Sequence, residues 1–137
     1  MITSTQYNGG PQNYYMIRYA EVLLMYAEAR NEDAGPDQSV YDAVNEVRSR
    51  VHMPAYPTGL SQEKMRDYIR DERRWEFALE HQRYFDIIRW RIADITIPPI
   101  GGVKVFTSPR DYLWPYPQAE MDNNAALRTQ GQNEGWR

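Results

Sequence analysis

Residues 60–90, LSQEKMRDYIRDERRWEFALEHQRYFDIIRW, constrain the fold more than any other stretch, because their charges do not keep to the polar side. At about 100° per residue, Met65, Tyr68, Ile69, Trp75 and Leu79 share one helical face, and Glu72, Glu76, Arg83 and Asp86 fall on that face too. An ionised group taken out of water is costly unless it is paired and hydrogen-bonded. The glutamates therefore need partners, and Arg73, Arg74, Arg83 and Arg89 are the nearby candidates. The stretch reads as a structural ion-pair network of Glu72, Arg73, Arg74, Glu76, Arg83, Asp86 and Arg89.

Ser61 is placed to cap the start of this helix, and Glu63 suits the positive end of its dipole. Unbroken to Trp90, the helix would be roughly 45 Å long. A compact domain of this length has a radius of gyration near ~14 Å, so a break is expected near His81 or Gln82. Beyond it Tyr84, Phe85, Ile87, Ile88 and Trp90 point in every direction, which predicts a buried second half.

Upstream, residues 1–13 are polar and carry Gly9, Gly10 and Pro11, a loose lead-in with Asn13 as a candidate cap. Over 14–31, Ile17, Ala20, Leu24 and Ala27 form one stripe, while Val22, Met25, Tyr26 and Ala29 cover much of the rest. This helix is expected to be buried on most sides. Gly35 and Pro36 stop it, Asp37 can cap the next helix, and Val40, Val44, Val47 and Val51 make its apolar stripe. Alanines 20, 27 and 43 allow close approach, so the pair reads as a tetratricopeptide-like helical hairpin. A lone pair of this kind does not bury both its faces, and its neighbour is expected upstream.

Downstream the character changes. Residues 95–106, ITIPPIGGVKVF, suggest a small β-hairpin around Gly101 and Gly102, with Pro98 and Pro99 confining the first run to an edge. Residues 108–117, SPRDYLWPYP, are too rich in proline for regular structure. Their Tyr112, Leu113, Trp114 and Tyr116 are expected to fasten an extended segment over the helices, with Leu127 and Trp136 anchoring the polar remainder. The fold class is mainly α: one domain over 1–137, built from the hairpin, the long charged helix and an irregular proline-rich tail.

Several functions are disfavoured by composition. With 16 basic and 19 acidic side chains interleaved, net charge −3, there is no basic field for nucleic acid. The chain has no cysteine, which excludes disulfides and cysteine-held zinc. His52 and His81 have no companions at metal-ligand spacing, and the Gly9-Gly10 and Gly101-Gly102 pairs lack the lysine of a phosphate loop. No metal or cofactor is expected. No run approaches the roughly 18 apolar residues of a membrane span, and the first residues lack the pattern of a signal peptide. Glu72 and Glu76 sit one turn apart at a spacing glycosidases use. Their arginine neighbours favour ionised structural carboxylates over a general acid, so no enzyme is expected. Tyr56, Trp114 and Tyr116 are the candidates for stacking on a sugar ring.

The order of motifs resembles the C-terminal part of the SusD/RagB family. Arg18-Tyr-Ala-Glu-Val-Leu-Leu-Met-Tyr-Ala-Glu-Ala-Arg30 is similar to its RxAEVLLxxAEA helix, and Val44-Asn-Glu-Val-Arg-Ser-Arg50 to its NxVRxR helix. Glu72 to Glu80 with Arg83 to Trp90 resembles ERRxEFxxEGxRxFDLxRW. Leu113 to Glu120 and Gln132 to Trp136 resemble the closing LxPIPxxE and QNPGY elements. His81, Arg91 and Glu134 depart from the family's glycine, glycine and proline; the first substitution bears on the helix break. The resemblance implies a cell-surface lipoprotein of the outer membrane that binds oligosaccharide or another nutrient. It also implies a SusC-like TonB-dependent transporter as partner, and attachment through a lipid anchor upstream of this chain. The matched motifs are scaffold motifs, so they carry no glycan-binding residue to a numbered position. A freestanding tetratricopeptide-like adaptor for a protein partner is the alternative.

Overall fold

The computed structural model describes residues 15–103 and 105–136; the lead-in and its Asn13 cap lie outside them. The chain divides into two compact units, one ending at Glu76 and the other beginning at Phe77. Among the described residues there are seven α-helices and no strand.

The first unit holds α1 (Tyr19–Ala34), α2 (Gln38–Arg50) and α3 (Gln62–Glu76). Gly35, at φ 81°, ends α1 and sends its N–H to the Asn31 carbonyl, a conformation a side chain would strain. Asp37 then accepts from the Ser39 and Val40 amides and starts α2. The hairpin is as expected. Ser61 caps α3 by accepting from the Lys64 amide. The buried face of α1 is Ala20, Leu24, Ala27 and Asn31; that of α2 is Val40, Tyr41, Ala43, Val44, Val47 and Arg48; α3 contributes Met65, Ile69, Glu72 and Arg73. Filling such a position with leucine contributes roughly 2 kcal/mol through apolar burial.

Some of the expected apolar positions are not buried. Helix α1 packs against both α2 and α3, and Val22, Met25 and Tyr26 stay exposed. One face is buried rather than most of the surface. Ile17 precedes the helix and Val51 follows α2, and both are exposed. Trp75 and Leu79 are exposed as well, Leu79 almost completely at 97%. The reason is the helix end: α3 stops at Glu76, so periodicity no longer carries residue 79 back to the core.

The break falls near His81 and Gln82, as expected. Residues 77–81 form a turn in which Leu79 (φ 66°) and His81 (φ 64°) both take left-handed backbone. His81 adopts the glycine-like conformation despite its Cβ. In the second unit, α4 (Gln82–Arg89) and α5 (Ala93–Thr96) are followed by a 3-10 turn (Arg110–Tyr112), then α6 (Gln118–Asn123) and α7 (Ala125–Gln130). Its core is Ile87, Ala93, Phe106 and Tyr112, with Ile88, Ile92 and Ile97 packed on it. Tyr112 meets Phe106 edge-to-face at 4.9 Å and donates to Asp94 Oδ1 at 2.7 Å.

Two expectations for this unit are corrected. Helix α4 is not buried all round: Asp86 and Ile87 are buried while Tyr84 and Phe85 are exposed, because an eight-residue helix here turns one face to the core. The β-hairpin reduces to a single antiparallel bridge, Ile100 with Val103. Gly101 and Gly102 turn with positive φ as expected, but Pro98 and Pro99 lack the donors to extend the ladder, and residues 95 and 96 join α5.

Candidate functional site

In the first unit, two carboxylates on α3 collect partners from other parts of the chain, Glu72 from α2 and the loop after it, Glu76 from α2 and from Arg18 just before α1. Arg48 Nη1 donates to Glu72 Oε2 at 2.6 Å, the Tyr56 hydroxyl donates to the same oxygen at 2.9 Å, and Arg48 Nε holds the Pro54 carbonyl. Glu76 accepts from Arg18 Nη1 at 2.8 Å and from Arg50 Nη2 at 2.7 Å. The partners of Glu72 and Glu76 are thus Arg48, Arg18 and Arg50, rather than the nearer-in-sequence Arg73, Arg74 and Arg83. Arg48 did carry a signal, since it follows Val44 and Val47 on the apolar stripe of α2. Burial and the Glu72 carboxylate push the Tyr56 phenol well above the ordinary tyrosine range.

Arg73 is buried, with Nε 4.0 Å from Glu28 Oε2, whereas Arg74 is exposed. Arg83, Asp86 and Arg89 belong to the second unit. There Asp86 accepts from Arg89 at 2.9 Å, and Arg83 and Arg89 lie over the Trp90 ring at 5.9 and 4.8 Å.

The three aromatic candidates differ in what their surroundings leave available. Tyr56 is stacked on Tyr68 at 4.4 Å with planes 5° apart, and the Arg48 guanidinium lies 3.9 Å from its centroid. Two groups that close occupy opposite faces, which leaves neither open to a sugar. Trp114 is 76% exposed. The carbonyl of Trp114 is held by Asn133 Nδ2 at 2.7 Å, and Gln132 bonds both the amide and the carbonyl of Tyr116, at 2.8 and 2.7 Å. Trp136 Nε1 donates to the Arg110 and Leu113 carbonyls. The closing QNEGW segment therefore clamps the backbone of the proline-rich segment. Trp136 is the anchor expected, whereas Trp114 and Leu113 do not fasten the segment by burial.

Among the described residues no cluster of His, Asp and Glu can hold a metal ion, and no helix is long and apolar enough to cross a membrane. His52 and His81 both sit at positive φ in turns.

Helices joined by one buried arginine–carboxylate pair and by two more exposed pairs on Glu76, followed by a clamped aromatic tail, define a helical scaffold. The profile of the SusD family matches residues 2–104, and the chain belongs to that family. It is 36% identical over 124 residues to SusD-like protein P2 of Formosa agariphila, covering 84% of this chain and 25% of the relative. A SusD homolog from Bacteroides thetaiotaomicron superposes with a TM-score of 0.77 at 33% identity, over 90% of this chain and 27% of that one. A SusD-like carbohydrate binding protein from Bacteroides fragilis does so with 0.70 at 37% identity, over 82% and 28%. The chain spans about a quarter of the length of the relatives it matches.

Proposed function

We propose that this chain is the C-terminal scaffold part of a SusD-like receptor on the surface of the outer membrane. The receptor binds oligosaccharide or another nutrient and passes it to a SusC-like TonB-dependent transporter. No bond of the nutrient is made or broken. The supporting observation is that the motif residues Arg18, Arg48, Glu72 and Glu76 bond to one another and hold three helices together, which is a scaffold's work rather than a catalyst's. Likeness to a protein described as carbohydrate binding supports oligosaccharide as the nutrient. Within this chain, Trp114 is the aromatic best presented to a pyranose ring, on a backbone already fixed by Asn133 and Gln132.

The test joins the chain to the rest of a SusD-like protein and screens the product on a glycan array and against a co-expressed transporter. Glycan retention and co-purification of the transporter are the expected results. Failure of both in a folded, full-length product overturns the proposal. The alternative, an adaptor for a protein partner, is favoured by the exposed Val22, Met25 and Tyr26 of α1. It predicts capture of a protein by the 137-residue chain with no affinity for glycan.

A further inference from the structure

The first unit contains a cleft of about 390 Å³ that the receptor reading does not use. It is lined by Val51, Met53 and Trp75, all roughly half exposed, and by the side chains of Arg48, Arg50, Glu72 and Glu76. This volume lies within the range of small-molecule sites.

The charged lining residues have hydrogen-bonding capacity left over. Glu72 is 95% buried by residue accessibility, as 5% remains exposed. Both of its bonds, from Arg48 and Tyr56, fall on Oε2; Oε1 accepts nothing among the described residues. Arg50 reaches Glu76 through Nη2 alone, so Nε and Nη1 keep their donors among the described residues. A carboxylate oxygen in so buried a residue gains from a donor brought by a ligand. The fork of a guanidinium gains from an acceptor.

Charge narrows the ligand class. Each glutamate already faces an arginine, Glu72 with Arg48 and Glu76 with Arg18 and Arg50. An added anion would meet Glu72 Oε1, and an added cation would meet Arg50. A cation finds no uncompensated carboxylate, and an anion drawn by the second arginine on Glu76 would have to approach Glu72 Oε1. A neutral ring bearing several hydroxyls answers both demands, because each hydroxyl donates and accepts, while its C–H face can lie on the open indole of Trp75.

We infer that the cleft formed by Trp75, Met53, Arg50 and Glu72 is a binding site for a neutral polyhydroxylated ring of one or two sugar units, separate from the Trp114 surface. The inference does not depend on a transporter or on the remainder of a receptor. It is tested on the 137-residue chain by following the Trp75 indole N–H resonance, assigned with Trp75→Ala, during titration with methyl β-glucopyranoside, cellobiose and maltose.

The expected result is a saturating shift with at least one of the three. Affinity should weaken about tenfold or more in Arg50→Lys, which keeps a cation beside Glu76 but loses the fork. For Trp75→Ala, calorimetry replaces the lost signal and should detect no binding at this cleft. The inference is overturned by the absence of any shift, by equal shifts with acetate or methylammonium, or by binding that Trp114→Ala abolishes and Trp75→Ala leaves intact. That last result would leave the receptor reading standing without this site.

Discussion

Arg48 and Glu72 form a 2.6 Å ion pair with only 7% and 6% of their side chains exposed, as enclosed as much of the apolar core around them. Helices α2 and α3 are joined there by charge, and the Tyr56 hydroxyl on the same carboxylate ties in the loop between them.

Glu72→Leu alone strands the Arg48 guanidinium in that enclosure and should cost on the order of 3 kcal/mol. The double change Arg48→Met with Glu72→Leu removes both charges and should recover most of that loss. Chemical denaturation of the four proteins of this cycle measures the coupling. A single variant as stable as the parent would show that the pair does not hold the helices.

The Asp37 carboxyl is lowered from 3.8 to about 2 by its bonds to the Ser39 hydroxyl and then to Arg30. A depressed folded-state pKa means that the ionised cap stabilises above the ordinary value and that this stability is lost as pH falls toward about 2. The gap in melting temperature between the parent and Asp37→Ala should therefore be constant above about pH 4 and narrow below it. A gap that widens on acidification contradicts this.

Leu79 and His81 hold left-handed backbone with side chains turned to solvent. Glycine takes that conformation without steric cost, so Leu79→Gly and His81→Gly should each raise stability by ~1 kcal/mol. The α3–α4 break should be kept. Isothermal denaturation checks the first statement, and amide chemical shifts around residue 80 check the second.

Gln132 bonds both backbone groups of Tyr116. Gln132→Ala should speed hydrogen exchange at the Tyr116 amide by about tenfold while leaving the α1 and α2 amides unchanged. Gly135 is the tighter position: an added Cβ would stand 2.7 Å from Arg110 Cβ at a backbone φ of 84°. Gly135→Ala should destabilise the second unit by ~2 kcal/mol, read from its thermal transition.

The features legible in the chain were those with a local cause. The Asp37 and Ser61 caps, the Gly35 stop and the alternation of valines on α2 each depend on residues within a turn or two of one another. That the stretch breaks near residue 81 agrees with the expectation, in which length called for a break without fixing its position. Leu79 was misplaced because periodicity was carried past Glu76, where the helix ends. The hairpin was overread because two prolines left only the bridge at Ile100 and Val103.

By itself the sequence determined that the chain is helical, that α1 and α2 form a hairpin, and that acidic residues in an apolar stripe must find cations. Side-chain spacing and desolvation cost act whatever the partner is. Only the tertiary structure decided who the partners are. Glu72 passes over the adjacent Arg73 for Arg48, 24 positions away, because neighbours on one helix point to different faces. A guanidinium arriving from α2 reaches the carboxylate through Nη1 while its Nε holds the Pro54 carbonyl. That same packing covers both faces of Tyr56 and leaves Trp75 half exposed, a distinction that depends on neighbours distant in the chain.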